Sequence, residues 1–405
     1  MCAVHLIPCD AGRRIAFVTF VTLALMGVAV NALAQNSIQL RGLVDIVATD
    51  VGDHRWYNTL NTNDSNFDAL RARLFVEGQR GQTSVYMQFL VSPEAYSTYR
   101  FFGGYLMHRV FEERNVFLEA GLIPVHDGIW QSQTYSNKNP LVGLPMGYYW
   151  KSTLASTMMP TDLDQMLSVR GRGQTRFTYS DSNGVRGKAY VTMPILYDNC
   201  WNYGLYSLGS LGQFEFAVGA TLGTAGAPVQ GSDTNDNIAW HAKVGFAFTP
   251  GLKAWVSGTR GAYLTRDVDP YMPAGKSVND YYQDLLGVSV DWKVWRLAFT
   301  GETFYNHADT PVRADGLASI SYWAQGAASV AAGLDVTLRY DALRYEEVES
   351  SLGEVLTWDL NVDRWEGGVG YHVSRDLFIK GVIQMTREAG DEFEMIPALQ
   401  SSFSF

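Results

Sequence analysis

Leu334-Asp335-Val336-Thr337-Leu338-Arg339-Tyr340-Asp341 is the stretch that decides the fold. Leu334, Val336, Leu338 and Tyr340 alternate with Asp335, Thr337, Arg339 and Asp341. A period of two places the first set on one face of a β-strand and the second on the other. One face is apolar apart from the Tyr340 hydroxyl and the other carries three charges.

The same pattern recurs along the chain. Ile38, Leu40, Val44 and Ile46 alternate with Gln39, Arg41 and Asp45. Leu70, Ala72, Leu74 and Val76 alternate with Arg71, Arg73, Phe75 and Glu77, and Leu377, Ile379, Ile383 and Met385 with Phe378, Lys380, Gln384 and Thr386. Val185, Ala189, Val191 and Met193 alternate with Arg186, Lys188, Tyr190 and Thr192. A soluble sandwich also alternates, so the connections carry the decision. Short turns at Gly78–Gly81, Glu113–Asn115, Asp181–Gly184, Thr249–Gly251 and Ser374–Asp376 alternate with long polar loops such as Thr49–Phe67, Thr224–Asp236 and Arg266–Asn279. Aromatic pairs stand near strand ends, at Tyr281-Tyr282 and at Trp292 with Trp295. This is the layout of a transmembrane antiparallel β-barrel. The count is about eighteen strands. Sixteen is the alternative, because Trp201–Ser210 and Tyr99–Phe111 are weakly patterned.

Composition agrees. Apolar residues make up 47% of the 405 and charged residues 18%, with aromatics at 13%. A net charge of −10 gives no basic surface for nucleic acid. Arg13-Arg14, the apolar run Ile15–Val30 and Asn31-Ala32-Leu33-Ala34 read as a signal peptide cleaved after Ala34. A single barrel is then expected over residues 35–405. Cys2 and Cys9 fall in the leader, so Cys200 stands alone and no internal disulfide is expected.

The last strand, Pro397–Phe405, places Leu399, Phe403 and Phe405 on one face. Here the chain resembles outer-membrane barrels of Gram-negative bacteria, whose final Phe is read by the barrel-assembly machinery. The resemblance implies Phe403 and Phe405 as the assembly signal, and outer-membrane lipid and that machinery as partners. Ala69-Leu70-Arg71-Ala72-Arg73-Leu74-Phe75-Val76-Glu77-Gly78, and Phe117–Val125 followed by Gly128, resemble the phosphate-selective (O/P-like) porin group. That resemblance covers about a tenth of the chain. It implies facilitated diffusion of small hydrophilic solutes or anions and allows a homotrimer. No run of basic residues matches that group's phosphate ladder.

The longest interruption, Val125–Val169, is the third external loop, expected to fold into the lumen because its aromatic and apolar residues can pack on the wall. Its charges Asp127, Lys138, Lys151, Asp162 and Asp164 are the expected constriction residues. Alternation points Arg41, Arg71, Arg73, Arg176, Arg186, Lys188, Lys243, Lys253, Arg296, Arg339, Arg364 and Lys380 inward, with Asp45, Glu77, Glu119, Glu215, Asp291, Glu302, Asp335, Asp341 and Glu366. Arg71, Arg73, Arg186 and Lys188 are the leading pore-wall candidates, and a weak anion preference follows from the slight basic excess.

No enzyme motif survives inspection. Ala274-Gly275-Lys276-Ser277 has Pro270 where a phosphate loop needs Gly, and Asp233–Asn237 lacks the Gly and the closing Glu of a calcium loop. No metal ligand set or cofactor site is expected. The expected function is a porin for passive diffusion. The rivals are a loop-plugged receptor or adhesin barrel and, less favoured, a barrel enzyme.

Overall fold

Alternation between β-branched or aromatic residues and polar ones builds long strands here because each strand must present one apolar face to lipid and one polar face to a lumen. The computed structural model describes residues 38–49, 69–91, 99–175, 177–188, 192–197, 201–231 and 235–405. The signal-peptide segment, Arg176, Cys200 and most of the Thr49–Phe67 loop lie outside them.

Sixteen strands close into one antiparallel barrel, each paired with its sequence neighbour. They are β1 (Ile38–Thr49), β2 (Ala69–Arg80), β3 (Thr83–Val91), β4 (Tyr99–Arg109) and β5 (Asn115–Ile123). After a long excursion come β6 (Asn202–Leu211), β7 (Phe214–Thr221), β8 (Ala239–Thr249), β9 (Leu252–Ala262), β10 (Tyr282–Val294) and β11 (Leu297–Thr310). Then follow β12 (Arg313–Ala331), β13 (Leu334–Tyr345), β14 (Val362–His372), β15 (Leu377–Glu388) and β16 (Glu394–Ser404). β16 pairs with β1 from Leu43↔Ser404 to Thr49↔Ala398. The Phe405 N–H then donates to the Gly42 carbonyl at 3.0 Å, and the Phe405 carbonyl accepts from the Gly42 N–H at 2.8 Å. Both ends of the barrel sheet therefore lie at the end that carries the short turns.

The strand count corrects eighteen to sixteen. The two strands expected around Asp181–Gly184 are a minimal hairpin, Ser180–Asp181 with Gly184–Val185, inside the unbroken excursion from 124 to 201. Of the expected alternating set, Val185 is exposed on that hairpin, Ala189 and Val191 lie outside the described residues, and Met193 packs with Ile195 and Leu196 into the loop's own core and not toward a membrane face. The weakly patterned segments Tyr99–Phe111 and Trp201–Ser210 are true strands, β4 and β6.

Burial is inverted relative to a soluble protein. In β13, Val336 and Leu338 are 41% and 53% exposed, while Arg339 and Asp341 are 0% and 1% exposed. Outward Leu40, Ile46, Leu74, Val244, Leu286, Val288, Ile383 and Leu399 continue the apolar belt round the barrel. A belt this continuous belongs against lipid. Aromatic side chains edge it at the turn end, where Trp292 stacks on Phe299 at 5.5 Å and Phe403 on Phe405 at 6.0 Å. Tyr281 does not join a girdle. It is buried in the core of the loop-end cap, and Tyr282 lies under the Arg260 guanidinium.

Candidate pore and its internal loop

The excursion between β5 and β6 turns into the lumen as soon as it leaves the wall. His126 Nε2 lies 2.6 Å from Glu119, and Asp127 lies 2.7 Å from His241 Nδ1 on β8. Lys243 donates to the Gly128 carbonyl. The Ile129 N–H donates to Glu302 of β11 at 2.6 Å, and the same carboxylate receives Ser289, Trp323 and Tyr148. Trp130 stacks edge-on against Trp323 of β12 at 5.2 Å.

The loop then crosses the lumen. Tyr135 donates to Gln88 of β3 at 2.8 Å, and Ser136 to Asp45 of β1 at 3.2 Å. Lys380 of β15 donates to the carbonyls of Ser136, Asn139 and Leu141, each at 2.8 Å. Glu366 of β14 accepts the N–H groups of Val142 and Gly143 at 3.2 and 2.7 Å. Arg339 donates to the Gly143 carbonyl at 2.7 Å, and Arg364 to the Leu144 carbonyl and the Tyr149 hydroxyl. The Met146 N–H reaches Asp341 at 3.3 Å. Gly143 is required by proximity: a Cβ there would stand 2.4 Å from the Glu366 carboxylate.

These contacts solve a burial problem. Wall charges covered by an apolar loop would be uncompensated. Here each finds either an opposite charge or a loop backbone group. Arg339 pairs with Glu366 at 2.5 Å and with Asp341 at 3.2 Å, and Arg364 pairs with Asp341 at 2.9 Å. Loop carbonyls and N–H groups with no regular structure of their own are satisfied by the same side chains.

Beyond the ring of contacts the excursion builds a cap at the loop end. Its core joins Leu154, Met158, Met159, Met166, Met193 and Tyr263 to Tyr345 and Trp358. Asp359 clamps the cap, accepting from the Thr153 N–H and hydroxyl, the Gly171 N–H and the Leu360 N–H. Burial raises the Asp359 carboxyl above its usual value, against those donors.

The candidate residues divide accordingly. Arg71 and Arg73 face inward but share Asp45, at 2.8 and 3.6 Å, and are buried. Arg186 and Lys188 are corrected. They lie on the excursion, not on a barrel strand, where Arg186 pairs with Asp181 at 3.1 Å and Lys188 is exposed. Arg296 sits in the β10–β11 turn beside exposed Trp295 and is not a wall residue. Of the five loop charges, Asp127 contacts the wall inside the lumen, and Lys138 is exposed on the crossing segment. Lys151 lies over the Tyr197 ring. Asp162 caps the short helix α1 (Leu163–Leu167), and Asp164 receives the Ser351 N–H at 3.0 Å. The last two belong to the cap. Sequence reading pointed to Tyr148 as part of the aromatic run Tyr148-Tyr149-Trp150 able to pack on the wall, but missed Trp130 and Gly143. No period marks a loop residue that meets a wall more than 150 positions away.

No known family model matches the chain, and no curated protein matches it in sequence. Solved structures do match in shape. A loop-deletion variant of OmpT, an outer membrane protein of Vibrio cholerae, superposes with a TM-score of 0.54 at 10% identity, covering 91% of this chain and 99% of that one. An anion-selective porin from Comamonas acidovorans gives 0.54 at 11% identity, over 92% and 100%. The fold is the porin fold. Salmonella typhi OmpF in complex with daunomycin gives 0.54 at 11% identity, over 91% and 98%. At such identities the likeness is one of architecture.

Proposed function

We propose that this chain is an outer-membrane channel through which small hydrophilic solutes diffuse, with the β5–β6 excursion setting the width of the path. The observation that carries the reading is the inverted burial: a closed barrel, apolar outside and charged inside, whose wall charges at the turn end stay exposed to water while those higher up seat the inner loop. The short turns and both sheet ends then face the periplasm, and the cap faces outward. Phe405 is the proposed assembly signal, since its backbone and ring finish the last strand.

On this reading selectivity by charge is small. At the turn end the water-facing wall charges come in pairs: Arg41 with Glu77, Lys253 with Glu215 at 2.5 Å, and Lys293 with Asp291 at 3.1 Å. Arg71 and Arg73, which motivated an anion preference, are buried and share the one carboxylate of Asp45, which leaves a single net positive charge there. A modest anion preference remains the finer proposal. Reconstitution into planar bilayers tests both parts. Steady current supports the channel, silence supports the loop-plugged receptor, and a reversal potential in a salt gradient reads the preference.

A further inference from the structure

Below the loop, at the turn end, the wall from β5 to β9 is hollowed into a recess of about 430 Å3. That size falls within the range of small-molecule sites, roughly 300–1,000 Å3. Phe117 and Trp255 supply its aromatic surface, and Asn115, Ser210, Glu215, Lys243 and His126, the last held by Glu119, its polar groups.

The position of Trp255 is fixed. Gly245 faces it on β8, and a Cβ there would stand 2.1 Å from the indole ring, so the ring lies over bare backbone. The indole N–H donates to Glu215 at 3.0 Å, and Lys253 holds the other oxygen of that carboxylate at 2.5 Å. The half-buried ring is thus held against the wall, with the Lys243 ammonium 5.7 Å from its centroid, and the rest of its surface borders the recess. Wall packing alone does not demand this, because Trp255 borders water.

The fixed charges decide the chemistry of the occupant. Glu215 is matched by Lys253, and the Lys243 ammonium, hydrogen-bonded to the Gly128 carbonyl, is offset by the carboxylates of Glu302 and Asp127. A net-charged solute finds no unbalanced partner here. A neutral ring with many hydroxyls does: its C–H face packs on an aromatic face, and its hydroxyls reach a carboxylate, an amide and a serine that can donate or accept. A second hollow of about 260 Å3 lies beside it along the wall, lined by Glu77, Tyr86, Tyr105 and Met107, with Tyr86 and Tyr105 stacked at 5.1 Å. Met107 pairs across strands with Glu119 of β5, so the two hollows are consecutive round the wall.

We infer that the recess around Trp255, Phe117 and Glu215 is a binding subsite for neutral carbohydrate on the periplasmic side of the path. The inference rests on the channel reading for its purpose but not for its measurement. Maltotriose serves as the probe. Titrated calorimetrically into the folded full-length barrel in detergent, it gives a saturable heat. Trp255→Ala weakens the affinity at least tenfold, Glu215→Gln weakens it less, and Trp365→Ala on the lipid face leaves it unchanged. If Trp255→Ala does not fold, as judged by heat-dependent gel migration, Phe117→Ala and Glu215→Gln carry the test. Absence of a saturable heat, or full-strength binding by the recess variants, overturns the inference. Bilayer recordings separate the two ideas. Current without sugar block and without heat removes the subsite and leaves the channel. Heat without current keeps the subsite and removes the channel.

Discussion

Two ion pairs between neighbouring strands of the same barrel have opposite fates. Arg339 and Glu366 stand opposite each other on β13 and β14, 2.5 Å apart and fully covered by the loop. Arg41 and Glu77 stand on β1 and β2 at the turn end, with side chains 59% and 32% exposed. The residue types and the wall are the same, and only the cover differs. In the covered region each charge also binds loop backbone, so removing one member strands several groups in a dry place. In the open region water replaces whatever is removed. Charge on a barrel wall thus has two uses, anchoring a loop or facing the solute, and burial decides which.

The sharpest way to break the comparison is to remove the cover. Deleting Asn137–Pro160 takes away the segment that meets Lys380, Glu366, Asp341 and Arg364. Single-channel conductance should rise several-fold while the barrel still migrates as a folded species. An unchanged conductance would place the path elsewhere. A single anchor comes next. Arg364→Met leaves Asp341 short of a partner and the Leu144 carbonyl without its donor. The expected loss is about 3–5 kcal/mol, typical of breaking a buried pair, read as a lower unfolding midpoint. Lys380→Met should act in the same direction.

A smaller effect tests the fit rather than the charge. Gly143→Val forces a side chain toward Glu366 and should cost about 1–3 kcal/mol, as overpacking does, with excess current noise as the loop loses its seat. The smallest effect belongs to the open region. Arg41→Ala should change stability by no more than about 1 kcal/mol and leave the unfolding midpoint nearly where it was. A large shift there would erase the distinction between the two regions.

The legibility of the sequence follows the same division. Strand alternation at Leu334–Asp341 and Leu377–Thr386 is local, and the structure keeps both its faces. The inward set Arg339, Asp341, Arg364, Glu366 and Lys380 was readable for that reason. What those side chains hold was not. The partners of Lys380 are carbonyls at Ser136, Asn139 and Leu141, and a carbonyl carries no sequence signal. The segment Val185–Met193 misled because its pattern belongs to the excursion: Val185 is exposed on a two-residue strand, and Met193 packs into the loop's own core. β4 and β6 were hard to see because inward Gly103, Tyr105, Tyr206 and Leu208 break the polar face. Asp162 and Asp164 looked like constriction charges, but capping α1 and meeting Ser351 uses them elsewhere.

Ser136 has one further consequence. Its hydroxyl reaches Asp45 on the first strand, and its carbonyl receives Lys380 on the last strand but one. Between them lies β16, whose edge meets β1 only when the chain is complete. One residue of the inner loop therefore spans the seam of the cylinder from within, like a clasp. Pairing first and last strands brings together the two ends of the barrel sheet, from Leu43↔Ser404 to Thr49↔Ala398, the slowest kind of contact to find. A loop already seated on β15 would present Ser136 where Asp45 must arrive, so the inner loop is placed to hold the two sides of the seam together.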